Sequence, residues 1–106
     1  MFRFGTVEVS GNSMLPTFNA GDWLLIRLLS GEKHSFKVGK VYLIEDTKRP
    51  GIKLIKRLTQ TRMEHGVLWL WVEGDNSGST DSRSWGWISG YKFIAQVLLR
   101  YKKSAT

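Results

Sequence analysis

The sequence predicts a mainly β fold, a single small domain over residues 1–106. Two observations point there: short runs of β-forming residues recur along the chain, and glycine-containing turns separate them. A third is negative, since no heptad, internal repeat or long helical period is present. Thr6–Val9 alternates with period two, as a half-buried strand does. Trp23–Leu28 and Val41–Glu45 are apolar runs, each preceded by a turn signal, Gly21-Asp22 and Gly39-Lys40. Ile52–Leu58 reads as one side of a hairpin turned by Arg49-Pro50-Gly51. Val67–Glu73, bounded by Gly66 and Gly74, reads as a buried strand. Residues 74–90 are rich in Gly and Ser, yet they hold Asp75, Asp81, Arg83, Trp85 and Trp87, which suits an ordered irregular loop better than a linker. Ile94–Leu99, within the apolar stretch Tyr91–Tyr101, reads as the last strand.

The bulk composition narrows the function classes. With 42% hydrophobic residues in 106, the chain has apolar surface for one core and no room for a separate recognition domain. It has no cysteine, which removes disulfides, thiolate metal sites and Cys nucleophiles. No run approaches the ~20 apolar residues of a membrane span, and the amino terminus lacks the apolar stretch of a signal peptide. The expectation is a soluble, cytoplasmic protein, in contact with a membrane at most peripherally. A formal charge of +7 suits nucleic acid, an anionic surface or plain solubility. The basic clusters Lys33–Lys40, Lys48–Arg62 and Arg100–Lys103 lack the aromatic spacing of a stacking platform, so no nucleic-acid partner is expected.

Three segments can carry chemistry. Ser13 lies in Val9-Ser10-Gly11-Asn12-Ser13-Met14-Leu15-Pro16-Thr17, where Pro16 removes a backbone donor and favours an extended Leu15. That places a serine hydroxyl at a strand end, although Gly-Asn-Ser is also an ordinary turn composition. Lys56 stands among Leu54, Ile55 and Leu58. If its side chain is buried there, desolvation lowers its pKa and lets the amine accept a proton; the alternative is a surface lysine with its amine in water. Lys53 and Arg57 are expected to stay solvated on other faces. In the loop, Asp81 and Arg83 suit a carboxylate–guanidinium pair, and Ser79 is short enough to orient a lysine amine. The same string also fits a Ser/Gly-rich turn with a surface salt bridge. His34 and His65 are expected to have surface roles.

Taken together, Ser13-Met14-Leu15-Pro16-Thr17 with Gly21-Asp22, Ile55-Lys56-Arg57, and Gly74-Asp75-Asn76 followed by Ser79-Thr80-Asp81-Ser82-Arg83 resemble the type I signal peptidase family. The likeness runs from about Val7 to Gly86. The self-cleaving SOS-type repressors share the first two segments and lack the Gly-Asp-Asn loop. The resemblance implies a coiled antiparallel β-sheet domain and a Ser–Lys endopeptidase that needs no cofactor or metal. Carried over, it makes Ser13 the nucleophile and Lys56 the general base. Ser79 then orients Lys56, Asp81 and Arg83 form a supporting pair, and the Ser13 amide serves as oxyanion donor. Val9, Gly11, Met14, Phe18 and Ile55 fall where the family binds substrate. Gly11 replaces a serine that some members use at the oxyanion hole, the family's Gly-Asp turn after Lys-Arg is missing, and the spacing from Gly-Asp-Asn to Asp-Ser-Arg is short. The absence of an anchor and of a large inserted β-domain is most similar to the nickel-type superoxide dismutase maturation proteases. The partner so implied is a precursor protein with an extended amino-terminal leader. Two other expectations remain: a signal peptidase acting at a membrane surface or with an anchoring partner, and an inactive basic binding module on the same fold.

Overall fold

The computed structural model describes residues 3–29 and 36–105. Seven strands form one sheet: β1 (Phe4–Glu8), β2 (Trp23–Leu28), β3 (Val41–Glu45), β4 (Lys53–Glu64), β5 (Val67–Glu73), β6 (Ile88–Ser89) and β7 (Phe93–Lys102). Their order across the sheet is β1-β2-β7-β3-β4-β5-β6, and every neighbouring pair is antiparallel. A four-residue helix, α1 (Ser82–Trp85), is the one α-helix among the described residues. The mainly β expectation holds.

Strand alternation divides the core between the two faces of the sheet. On β3, Val41 and Leu43 join Val9, Met14, Leu24, Ile26, Ala95 and Val97 in one cluster. Tyr42 and Ile44 join Leu58, Leu70, Val72, Ile88 and Phe93 in the other. The first cluster lies beneath the segment that carries Ser13, and the second surrounds β4 and β5.

The hairpin between β3 and β4 turns through Pro50-Gly51, with the Ile52 amide bonded to the Arg49 carbonyl and Gly51 at φ 89°. That suits a turn needing a positive φ after proline. β4 runs on to Glu64, six residues past the expected end at Leu58. It does so by passing from β3 to β5 through an irregularity between Leu58 and Gln60. The added residues Gln60, Thr61 and Arg62 lack apolar alternation, which hides a strand paired by backbone on a solvated surface. His65 (φ 52°) and Gly66 (φ 79°) close the β4–β5 hairpin as a two-residue turn with both residues left-handed.

Two further expectations change. β1 ends at Glu8, and Val9 instead pairs with the far end of the next loop. β5 is buried at every second residue only, Leu70 and Val72, because one of its faces carries Trp69 and Trp71 partly open to solvent.

Candidate functional site

The segment between β1 and β2 is a loop closed at its neck. The Val9 amide donates to the Asp22 carbonyl and the Gly21 amide to the Val9 carbonyl, both at 2.8 Å. Inside it the chain makes two turns, Leu15 amide to Asn12 carbonyl (3.1 Å) and Phe18 amide to Met14 carbonyl (3.0 Å). Ser13 therefore sits on a turn, the alternative that Gly-Asn-Ser allowed, rather than at the end of a strand. The Leu15–Pro16 peptide is cis. Met14, 1% exposed, and Val9 plug the turn into the core cluster, with Phe18 and Ile55 packed partly buried against it. Of the expected substrate contacts, Val9 and Met14 thus form a floor, while Phe18 and Ile55 keep accessible surface. Gly11 is exposed at φ 80°, a backbone state that favours glycine. Among the described residues, the amides of Ser13 and Met14 donate no hydrogen bond.

Lys56 occupies the middle of the sheet, opposite Tyr42 in the β3–β4 ladder. Alternation puts it on the face of Leu54 and Leu58, and it is 2% exposed. Its amine makes no hydrogen bond or ion pair among the described residues. Burial pushes its pKa below the ordinary lysine value. The nearby Arg83 pushes the same way, while the charges of Asp81 and Asp46 oppose both. The solvated role expected for Lys53 fits its exposure. Arg57 departs from it: its Nε and Nη2 grip Asp75 at 2.8 and 2.7 Å, and Nη1 donates to the Gly39 carbonyl.

The loop after β5 brings these parts together. Asp81 is fully buried and caps α1. Its carboxylate accepts from the Gly74 amide (2.8 Å), Ser79 Oγ (2.7 Å), the Arg83 amide (3.0 Å), and Arg83 Nε (2.9 Å) and Nη2 (2.6 Å). Burial pushes its pKa up, but the hydrogen bonds from Arg83, Gly74 and Ser79 outweigh this and hold it far below the carboxylate range. Ser79 Oγ spends its proton on Asp81 and accepts from Arg83 Nη2 at 3.2 Å. No hydrogen bond joins Ser79 to Lys56, or Ser13 Oγ to Lys56.

Gly74 is the meeting point. A Cβ there would collide with Ser79 Oγ and with the Ser13 carbonyl oxygen. Two residues on, the Asn76 amide donates to that same carbonyl (2.9 Å) and its Nδ2 to the Asn12 carbonyl (3.0 Å). So Ser13, Ser79, Asp81 and Arg83 converge around one bare Cα, with Lys56 in electrostatic reach of Asp81 and Arg83. His65 sits at the distant β4–β5 tip, its side chain 91% exposed, and His34 lies outside the described residues, as do Lys33 and Ser35 of its basic cluster.

Two anchors escaped the sequence reading. Asp75 accepts from Arg57 and also from Thr17 Oγ1, four residues after Ser13, and Arg57 chiefly holds its carboxyl below the usual range. Asp22, at the loop's end, is buried and bonded to Asn19, Arg100 and Ser104. Each is the aspartate of a Gly-Asp pair, but a Gly-Asp dipeptide reads first as a turn, and its long-range partner cannot be seen from spacing.

Comparison with protein families matches residues 1–61 to signal peptidase, peptidase S26. The chain belongs to this family. The match spans Ser13, Lys56 and Arg57, and leaves Asp75, Ser79, Asp81 and Arg83 outside it. No curated protein matches the chain. Membership makes the protein a signal-peptidase-like protease of the serine type.

Proposed function

We propose that this protein is a Ser–Lys endopeptidase that removes an amino-terminal leader from a precursor. The observation that carries the proposal is Lys56: a buried, unpaired amine with a depressed pKa, within the same family-matched stretch as Ser13. A neutral Lys56 takes the Ser13 Oγ proton as Oγ attacks the scissile carbonyl carbon. The carbonyl oxygen becomes an oxyanion that accepts from the Ser13 amide. Collapse breaks the peptide bond, and protonated Lys56 gives its proton to the leaving amine. Water, deprotonated by Lys56, then attacks the acyl ester and restores Ser13. The reaction needs no preformed Ser13–Lys56 hydrogen bond, since catalytic contacts tighten when substrate binds.

Substrate recognition is by an extended strand laid beside residues 6–11 and 53–56, with a small side chain over Val9, Met14, Phe18 and Ile55. The finer assignment is maturation of a nickel-type superoxide dismutase precursor in the cytoplasm. It is supported by the Ser79–Arg83 string and by the plain β4–β5 hairpin. No helix among the described residues is long and apolar enough to cross a membrane. Action at a membrane surface is a second reading, favoured by Met63 and Val67, which are exposed at the hairpin tip beside Trp69, Trp87 and Arg62. The test is to incubate the protein with a nickel superoxide dismutase precursor and weigh the products, with Ser13→Ala alongside. A single cut by wild type and none by the variant supports the peptidase. Binding without any cut by wild type indicates the inactive module. Flotation with anionic vesicles supports the membrane reading.

A further inference from the structure

The turn that carries Ser13 is held by two ion pairs, and only one of them, Arg57–Asp75, involves the loop after β5. The other joins Asp22, at the end of the turn, to Arg100 on β7. Asp22 Oδ2 accepts from the Asn19 amide (2.8 Å) and from Arg100 Nη1 (3.1 Å), and Oδ1 accepts from the Ser104 amide (2.7 Å). The same Arg100 nitrogen donates to the Thr17 carbonyl at 3.3 Å. Thr17 is therefore gripped twice, by its hydroxyl through Asp75 and by its carbonyl through Arg100. Behind it the chain is packed tight: a Cβ on Gly21 would stand 2.8 Å from Ser104 Oγ.

Local sheet geometry explains why Arg100 reaches the turn. In the β2–β7 ladder, Trp23 faces Lys102 and Leu24 faces Arg100, so Tyr101 is an extra residue at an irregularity. A bulge of this kind bends a strand and re-aims a neighbouring side chain. Both contacts of the Asp22–Arg100 pair to the loop go to its backbone, the Asn19 amide and Thr17 carbonyl, rather than to the apolar core. A pair placed this way fixes where the turn sits more than whether the sheet forms.

We propose that Asp22 and Arg100 are positioning residues for the reaction at Ser13, and that residues 100–104 form the second wall of a clamp whose first wall is Arg57 and Asp75. This rests on Ser13 being the nucleophile. A misplacement of about 1 Å in a reacting group costs on the order of 100-fold in rate, so a loosened turn lowers turnover while the sheet stays folded. Each ion pair of the clamp takes one partner from beyond the family-matched residues, Asp75 in the loop after β5 and Arg100 near the end of β7.

The experiment combines two readouts on wild type, Arg100→Gln and Arg100→Lys. The first is cleavage of a fluorogenic peptide spanning the precursor's leader junction, measured well below each melting temperature. Arg100→Gln is expected to lose about tenfold or more in kcat with KM nearly unchanged, and Arg100→Lys, which keeps a cationic donor, to recover most of it. The second is amide hydrogen exchange. Phe18 and Gly21 are expected to exchange at least about tenfold faster in Arg100→Gln, while Leu43 and Ile44 in the sheet stay as in wild type. Wild-type kcat in Arg100→Gln, or exchange that rises equally in turn and sheet, overturns the proposal. If wild type cleaves no peptide, the peptidase reading fails by itself. Exchange then decides the clamp: a rise confined to the turn supports it and an unchanged turn overturns it.

Discussion

Lys56 and Arg57 are neighbours on β4, carry the same charge, and live in opposite circumstances. Lys56 is buried beside Leu54 and Leu58, its amine makes no hydrogen bond among the described residues, and burial drags its pKa down. Arg57, on the other face, is half-buried and locked to Asp75, which raises its pKa. The one-residue step flips a side chain from one face to the other, so adjacent positions can be assigned to acid–base chemistry and to anchoring. The residue types match the tasks. A lysine gives up its proton when desolvated, whereas a guanidinium stays charged and presents a planar fork to a carboxylate.

The largest expected effect tests the Lys56 side. Lys56→Met should abolish cleavage yet raise the melting temperature, since it removes the desolvation cost of a buried amine; a gain of roughly 1 kcal/mol is expected at neutral pH. The sign follows from linkage. Folded Lys56 releases its proton at lower pH than an unfolded lysine, whose value is 10.5. Between those two pKa values the unfolded chain binds more protons, and its neighbourhood's stability rises with pH. The kcat/KM profile should climb through that same depressed pKa and level off. A lysine-to-methionine variant that melts lower than wild type, or a kcat/KM profile that climbs only through the ordinary lysine value of 10.5, breaks the contrast with Arg57.

An intermediate effect concerns the pair next to Lys56. Arg83→Ala leaves Asp81 buried with three of its donors, those of Gly74, Ser79 and the residue 83 amide. Arg83 is 38% exposed, so the loss should be about 1–3 kcal/mol, below that of breaking a wholly buried pair. Cleavage should fall together with thermal stability. Ser79→Ala should also lower stability, by about 1–2 kcal/mol, because its hydroxyl donates to a buried carboxylate. Thermal melts beside cleavage rates check both. A Ser79→Ala protein as stable as wild type would show that Asp81 is satisfied without that hydroxyl.

The smallest effect belongs to the Arg57 side. Asp75→Asn should cost about 0.5–2 kcal/mol and slow cleavage modestly, because the Arg57–Asp75 pair is partly exposed. The carboxyls of Asp75 and Asp81 both sit below the ordinary value of 3.8. Their stabilisation is therefore complete above that pH and drains away as pH falls through the folded pKa values. Acid titration of the melting temperature in wild type and Asp75→Asn should converge at the acid end. Curves that stay parallel there would mean Asp75 is not a titrating anchor.

Much of the fold could be read from residue order. β2, β3 and β5 have the expected bounds, because each is a short apolar run between turn signals. β4 is half visible in the sequence, since its outer portion, residues 60–64, is exposed throughout and lacks apolar alternation. For the site, Lys56 was legible through its apolar neighbours, and Asp81 with Arg83 through complementary charge two positions apart. Asp22, Arg100 and Ser104 were not legible as a group. Their link spans most of the chain, and nothing local in Gly21-Asp22 names a partner on the last strand. The sequence suggests Ser79 as a partner for Lys56, whereas its proton goes to the Asp81 carboxylate.

The His65–Gly66 turn has a practical consequence for anyone rebuilding this protein. Two left-handed residues close the hairpin at an exposed tip nine positions along β4 from Lys56, about 30 Å at the usual rise per residue. Chain added at exposed loop tips is the kind that folds tolerate best. A tag, an affinity loop or a whole recognition module spliced there would extend the protein's reach along a two-stranded arm while leaving the segments around Gly74 untouched.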